Sequence, residues 1–229
     1  MGIRRGSIST PIIADGLVFN MDAANRASTI PVSTVETSFN TVNTSISGTF
    51  SDNGIFDSST ITPSYAFDGS DYIDLGTDSS LDIFGGAYSV SLWFNHTLSA
   101  GNAIPLLEIA GFGSTDRMAI TLGFTSNTGV GFVVEQNTWN YNAGSGFNDG
   151  EWHNVIATRT GTTYKIYVDN IDTAFSVGSY GVGSNNRIAV GQPSQVYYNG
   201  NIGPIHIYNR VLSPTEILHN YNALKGRFE

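Results

Sequence analysis

The sequence has no cysteine, which excludes disulfides and any thiolate metal site. Charge is sparse: charged residues are 13% of the chain, with 10 Lys and Arg against 19 Asp and Glu, a net charge of -9. A duplex-binding protein presents a basic surface, so nucleic acid is not an expected partner. Long apolar runs are missing too. None approaches the ~20 residues a membrane helix needs, so no membrane partner is expected and the chain reads as soluble. Arg4 and Arg5 have no apolar stretch behind them, so no secretory leader is expected. No internal repeat or long linker divides the 229 residues, which suits one β domain whose core needs no covalent staples.

What the chain does have is glycine, 26 residues of it, with abundant Ser, Thr and Asn. That mixture favours short strands and polar turns over helices. Period-two alternation runs from end to end. Val90, Leu92 and Phe94 face one way while Ser89, Ser91 and Trp93 face the other. Ile120, Leu122 and Phe124 alternate likewise, as do Val130, Phe132 and Val134, then Tyr164, Ile166 and Val168, then Ile205 and Ile207. Turn dipeptides punctuate these runs at Asp15-Gly16, Asn53-Gly54, Asp68-Gly69, Asp149-Gly150 and Asn199-Gly200, because such pairs accept positive φ. Residues 31–60 alternate weakly and read as long loops with one or two irregular strands. One helix is signalled, over about 214–224. Ser213 and Glu216 make a capping box, Pro214 takes the first position, Gly226 suits the stop, and Ile217, Tyr221 and Leu224 form an apolar stripe. The expected architecture is an extended arm over residues 1–12, followed by one all-β antiparallel sandwich over 13–229 that includes the short closing helix.

Five segments, taken in order, carry a resemblance: Asp15-Gly-Leu-Val-Phe-Asn-Met-Asp22, Phe67-Asp-Gly-Ser-Asp-Tyr-Ile-Asp-Leu-Gly76, Tyr88-Ser-Val-Ser-Leu-Trp-Phe94, Gly150-Glu-Trp-His-Asn-Val-Ile-Ala157 with Tyr164-Lys-Ile-Tyr-Val-Asp169, and Gly200 through Ile217. Together they resemble the laminin G-like, concanavalin A-like jelly-roll superfamily. With the closing segment Tyr221-Asn-Ala-Leu-Lys-Gly-Arg-Phe228, the chain also resembles virion proteins of marine tailed phages: capsid decorations, head fibres and tail-fibre parts. That resemblance implies a position on the particle surface, a homo-oligomer there, and viral capsid or other virion proteins as partners.

Chemistry is tested against this background, since one fold hosts many functions. Glycoside hydrolysis needs two carboxylates flanking the bond. Related glucanases carry them as Glu-x-Asp-x-x-Glu, and neither Glu108 nor Glu135 begins such a motif. There is no Gly-x-Ser-x-Gly elbow, and His153 and His206 sit inside strand patterns as satisfied sheet histidines. No enzymatic activity is expected. No cofactor is expected either. Calcium is the one the fold suggests, with Asp22 and Asp68 as first candidate ligands and Asp71 and Asp74 nearby, but Gly203 and Pro204 stand where related domains carry acids. A sugar site would use loop aromatics ringed by amides, and Trp139, Tyr141, Tyr197, Tyr198 and Asn199 are the candidates. Trp93 and Trp152 belong to the core or its rim. In the arm, Ile3, Arg4, Arg5 and Ile8 are the partner-binding candidates, apolar pegs and cations on a segment without acids. The sequence reading is thus a non-enzymatic phage virion structural protein, with a carbohydrate-binding module for host glycans as its alternative and a hydrolase as a distant third.

Overall fold

The computed structural model describes residues 11–29, 37–51, 56–57, 62–98, 104–109, 118–122, 129–134, 139–142, 144–176, 188–190 and 197–229. Two antiparallel sheets face each other across one core. The first runs β14 (Ile171–Ser176), β13 (Thr163–Val168), β12 (Trp152–Thr160), β7 (Tyr88–Asn95), β16 (Asn199–Tyr208), β5 (Ser64–Asp68) and β4 (Phe56–Asp57), with β1 (Leu17–Met21) also on β16. The second runs β11 (Trp139–Asn142), β10 (Val130–Val134), β9 (Met118–Leu122), β8 (Ile104–Ile109), β15 (Ile188–Val190), β6 (Ile73–Asp74), β3 (Ser47–Phe50) and β2 (Thr37–Phe39). The expected all-β jelly-roll sandwich is the observed one, and the described residues of the weakly alternating stretch 31–60 hold three short strands, β2, β3 and β4, where one or two were expected.

The alternation explains the layering, because successive strand residues point to opposite faces. Val90, Leu92 and Phe94 enter the core between the sheets, with Ile120, Leu122, Val130, Phe132, Tyr164, Ile166, Val168, Ile205 and Ile207. Phe124 lies outside the described residues, as does the side chain of Val134. Strand β16 is the seam of the first sheet. One edge pairs with β7; the other pairs first with β5, through Asn199–Ile202, and then with β1, through Ile205–Tyr208. The register slips between Ile202 and Ile205, where Pro204 has no amide to donate to a ladder.

The helix α1 spans Pro214–Lys225, one residue beyond the expected end, and the capping box is present. It lies on the outer face of the first sheet, where Ile217 and Leu212 pack with Ile156, Tyr167 and Tyr208, and Ile13 and Leu17 adjoin them. The expected stripe is only partly right: Ile217 is fully buried, whereas Tyr221 and Leu224 are half-buried and Asn220 is buried in their place. Asn220 closes a ring of three hydrogen bonds. Its Nδ2 donates to Tyr208 Oη (3.0 Å), Tyr208 Oη donates to the Ile13 carbonyl (3.1 Å), and the Ile13 amide donates to Asn220 Oδ1 (2.8 Å). Burial of the Tyr208 phenol pushes its pKa up to about 12, which keeps it a donor. Pro11, assigned to the arm, is held as well, because His219 Nε2 donates to its carbonyl (2.9 Å). Ile3, Arg4, Arg5 and Ile8 lie outside the described residues.

These contacts rank two substitutions. Ser213→Ala should cost about 1 kcal/mol for the lost cap. Asn220→Ala should cost more, about 2 kcal/mol, because it leaves the half-buried Ile13 amide without its acceptor and takes from Tyr208 Oη the bond it accepts. Thermal melts of the two variants check the order, and an Asn220→Ala melt equal to the parent's would refute the ring as a stabilising element.

Candidate functional site

On the outer face of the second sheet a cavity of about 340 Å³ is lined by Ser47, Thr49, Phe50, Ser51, Tyr72, Asp74 and Gly76. Its construction follows from pleating. Gly48 and Phe50 turn inward, so Ser47, Thr49 and Ser51 present hydroxyls outward; Ile73 and Leu75 turn inward, so Tyr72, Asp74 and Gly76 face the opening. Thr49 pairs with Asp74 in register, and the row continues through Ala189 of β15 to Glu108 of β8. Backbone bonds lock the walls: the Ser51 amide donates to the Tyr72 carbonyl (3.0 Å), the Tyr72 amide to Ser51 Oγ (2.8 Å), and the Gly76 amide to Asp74 Oδ1 (2.9 Å). Glu108 is 4% exposed and does not line the cavity. Hydroxyls, a phenol and a carboxylate around a concave site suit a polyhydroxylated ligand.

The residues singled out from sequence fall elsewhere. Tyr198 is a correction: it is fully buried in the core, edge-on to Phe67, with its hydroxyl 2.8 Å from the Asn95 carbonyl and 3.1 Å from that of Asn201. Its neighbour Tyr197 is 40% exposed, and Asn199 Nδ2 donates to the Asp68 carbonyl (2.8 Å). Trp139 and Tyr141 belong to β11 at the rim of the second sheet rather than to a loop, and their side chains lie outside the described part. The two aromatic stretches therefore stand on different sheets. What sequence reasoning missed is the set Ser47, Thr49, Ser51 and Tyr72; the polar alternation through β3 was the available signal.

The calcium candidates are separately engaged. Asp22 receives a bidentate fork from Arg227 (2.8 and 3.0 Å). Asp68 caps its own turn, accepting from the Ser70 hydroxyl (2.7 Å) and amide (2.9 Å), and those bonds hold its carboxyl below the usual range. Asp71 accepts from the Asp68 amide (3.2 Å), while Asp74 belongs to the other sheet. Among the described residues no three His, Asp or Glu side chains gather as a metal site.

The histidines divide. His153 is satisfied twice, Nδ1 against Asp169 Oδ2 (2.7 Å) and Nε2 against Asp149 Oδ1 (3.1 Å). Burial alone would lower its pKa, but the two carboxylates outweigh burial and raise it. This clamp is therefore at full strength below pH 6.5 and is lost as pH rises through the raised value. Accordingly His153→Asn should lower the melting temperature more at pH 5.5 than at pH 8.5; an equal loss at both would show that the charge is immaterial. His206 corrects the sequence reading: it is 2% exposed, and its Nδ1 has no hydrogen-bond partner among the described residues. His96 Nδ1 accepts from the Leu98 amide (3.2 Å), and burial lowers the pKa of both His96 and His206 to about 4.

A second ordered region covers the outer face of the first sheet. Trp93, 2% exposed, stacks on Phe228 (centroids 4.4 Å, 17°) and on Tyr221 (5.5 Å, 11°), and Trp152 adjoins Phe228 at 4.7 Å. Gly203 makes room for Phe228, since a Cβ there would sit 3.0 Å from its ring.

Comparison with known proteins follows the architecture. A family model of laminin G type, described as the concanavalin A-like lectin/glucanases superfamily, matches residues 67–218. No curated protein matches in sequence. Among solved structures, Trypanosoma rangeli sialidase in complex with the inhibitor DANA is similar with a TM-score of 0.68 at 15% identity, over 94% of this chain and 35% of that one. Domain 4 of AbnA, an extracellular arabinanase of Geobacillus stearothermophilus, in complex with arabinotriose, is similar with a TM-score of 0.62 at 18% identity, over 88% of this chain and 96% of that one. The binding domain of botulinum neurotoxin DC in complex with SialylT gives 0.68 at 13%, over 92% and 52%. The chain thus spans about a third of the sialidase and about half of the toxin domain. At these identities the likeness is one of fold. With the model covering residues 67–218, the chain belongs to the concanavalin A-like lectin/glucanase superfamily, as a laminin G-like domain.

Proposed function

We propose that this chain is a non-enzymatic carbohydrate-binding sandwich carried, in several copies, on the surface of a phage particle as a decoration or fibre module. The observation that carries the binding half is the cavity between β3 and β6, with three hydroxyls, Tyr72 and Asp74 around about 340 Å³. Its lining holds one carboxylate, whereas glycoside cleavage takes two, and Glu108 in the same row is buried. Carbohydrate complexes of the arabinanase domain and the toxin domain add support by fold.

Attachment to capsid or other virion proteins rests on a second observation. Ile13 packs with α1 on the outer face of the first sheet, and the cavity lies on the outer face of the second. Pro11 and Ile13, where the chain enters the sandwich, are therefore on the side away from the cavity, which suits a module anchored on one face and open on the other.

A printed glycan array followed by calorimetry tests the binding half. Tyr72→Ala should weaken the best glycan at least tenfold, about 1.4 kcal/mol, and Thr49→Trp, an exposed position, should block the cavity without touching the core. A parent that binds nothing, or variants that bind as the parent does, would overturn it. For attachment, removal of residues 1–10 should reduce incorporation into particles while leaving glycan binding intact; undiminished incorporation would discard the arm.

A further inference from the structure

We infer that residues 226–229 form an acid-released strap: protonation of His206 beneath it breaks the Arg227–Asp22 clasp and lifts Phe228 from Trp93. The Arg227 and Phe228 amides donate back to the Leu224 and Lys225 carbonyls of α1 (2.9 Å each), and among the described residues three contacts fasten the strap to the body of the sandwich. Phe228 lies on Trp93 and Trp152 above Gly203, Arg227 donates to Asp22 through Nη1 and Nη2, and Thr62 Oγ1 donates to the Arg227 carbonyl. Among the described residues the clasp is the ion pair that ties the strap to the sheet; its other ion pair, Glu229 with Lys225 (2.8 Å), runs back to the end of α1.

His206 lies on the same face of the first sheet. Its flanking partners are Asn20 on β1 and Ser91 on β7, and neither is charged. The charged groups acting on it among the described residues are Asp22, next along from β1, and Arg227 of the strap. A neutral imidazole is tolerated there with Nδ1 unpartnered. An imidazolium is not, since burial denies it water and the Arg227 guanidinium repels it. It would also compete with Arg227 for Asp22, the carboxylate whose charge acts on His206 among the described residues. Both effects push in the same direction: Asp22 changes partner, Arg227 is released to solvent, and Phe228 loses its tether. Trp93 Nε1, buried without a partner among the described residues, is a second polar atom in this region that gains by admission of water.

Linkage sets the size of the effect. A histidine of pKa about 4 when covered, against 6.5 when free, shifts the opening equilibrium by up to about 300-fold as pH falls from 7.5 to below 4. The stabilisation is complete above pH 6.5 and is lost as pH falls through about 4.

The experiment uses the full chain in a Trp139→Phe background, so that emission comes from Trp93 and Trp152. Acrylamide quenching and far-UV circular dichroism are followed from pH 7.5 to 3.5. The expected result is a rise in quenching between pH 6.5 and 4 with the β spectrum retained, absent in His206→Gln and already present at pH 7.5 in Phe228→Ala. His96→Asn, which removes the other low-pKa histidine, should leave the transition in place. Hydrogen exchange of the peptide 212–229 in the parent, corrected for the intrinsic pH dependence, should report lost protection of 226–229 at pH 4.5. A transition that survives in His206→Gln, one that coincides with global unfolding, or unchanged protection of 226–229 would overturn the proposal.

Discussion

Replacing Gly200 by alanine is expected to destabilise the protein by about 3 kcal/mol or more. Two penalties coincide there. Gly200 has φ +149, a backbone conformation that L-residues with a side chain rarely adopt. The added Cβ would also overlap the Asn95 carbonyl oxygen and stand 2.7 Å from the Tyr198 hydroxyl. Neither neighbour can yield cheaply. Asn95 Nδ2 donates to the Gly150 carbonyl, and Tyr198 is fully buried with its hydroxyl on the Asn95 carbonyl. Tyr198→Phe, which deletes the hydroxyl and keeps the ring, should cost only about 1 kcal/mol. Urea denaturation of both variants provides the comparison. If Gly200→Ala unfolds at the parent's midpoint, the approach of β16 to β7 at Asn95 is looser than described.

The second large effect is expected at Trp93. Trp93→Ala should cost about 4 kcal/mol at pH 7.5, within the usual range for truncating a buried large aromatic. The indole is 2% exposed and stacks on both Tyr221 and Phe228, so its removal uncouples the helix side and the strap side together. Trp93→Phe should recover more than half of the loss, since a ring remains to stack. A loss under about 1 kcal/mol in the alanine variant would mean that the outer face of the first sheet is not a packed layer.

Much of this was legible in the sequence, for a stated reason. The core residues Val90, Leu92 and Phe94, with Tyr164, Ile166 and Val168, follow from period-two alternation on half-buried strands. The capping box of Ser213 and Glu216 is local chemistry and appears as read, with Arg210 adding a fork that pulls the Glu216 pKa down to about 2. Long-range partnerships were not legible. Tyr198 was read as a loop aromatic because Asn199-Gly200 signals a turn, yet that pair opens strand β16, and its glycine serves close approach rather than chain reversal. The converse occurs at Asp169 and Asn170, which turn β13 into β14 with φ of 50 and 65 and no glycine. The cavity residues escaped notice because Ser47, Thr49 and Ser51 are ordinary outward positions. They become a site only when Asp74, far along the chain, pairs opposite Thr49.

The seam strand also fixes the order of assembly. Residues 199–208 pair with β7, β5 and β1, partners separated from them by more than a hundred positions. Until they are available, β1 has no strand beside it among the described residues, and β7 and β5 each lack a neighbour. The first sheet therefore cannot close progressively during synthesis. It waits with bare edges for a late strand to join its halves, and loop-closure entropy is spent before those contacts repay it. Folding speed is thus tied to the capture of β16, and in a crowded cell the competing reaction is edge-to-edge pairing between unfinished chains.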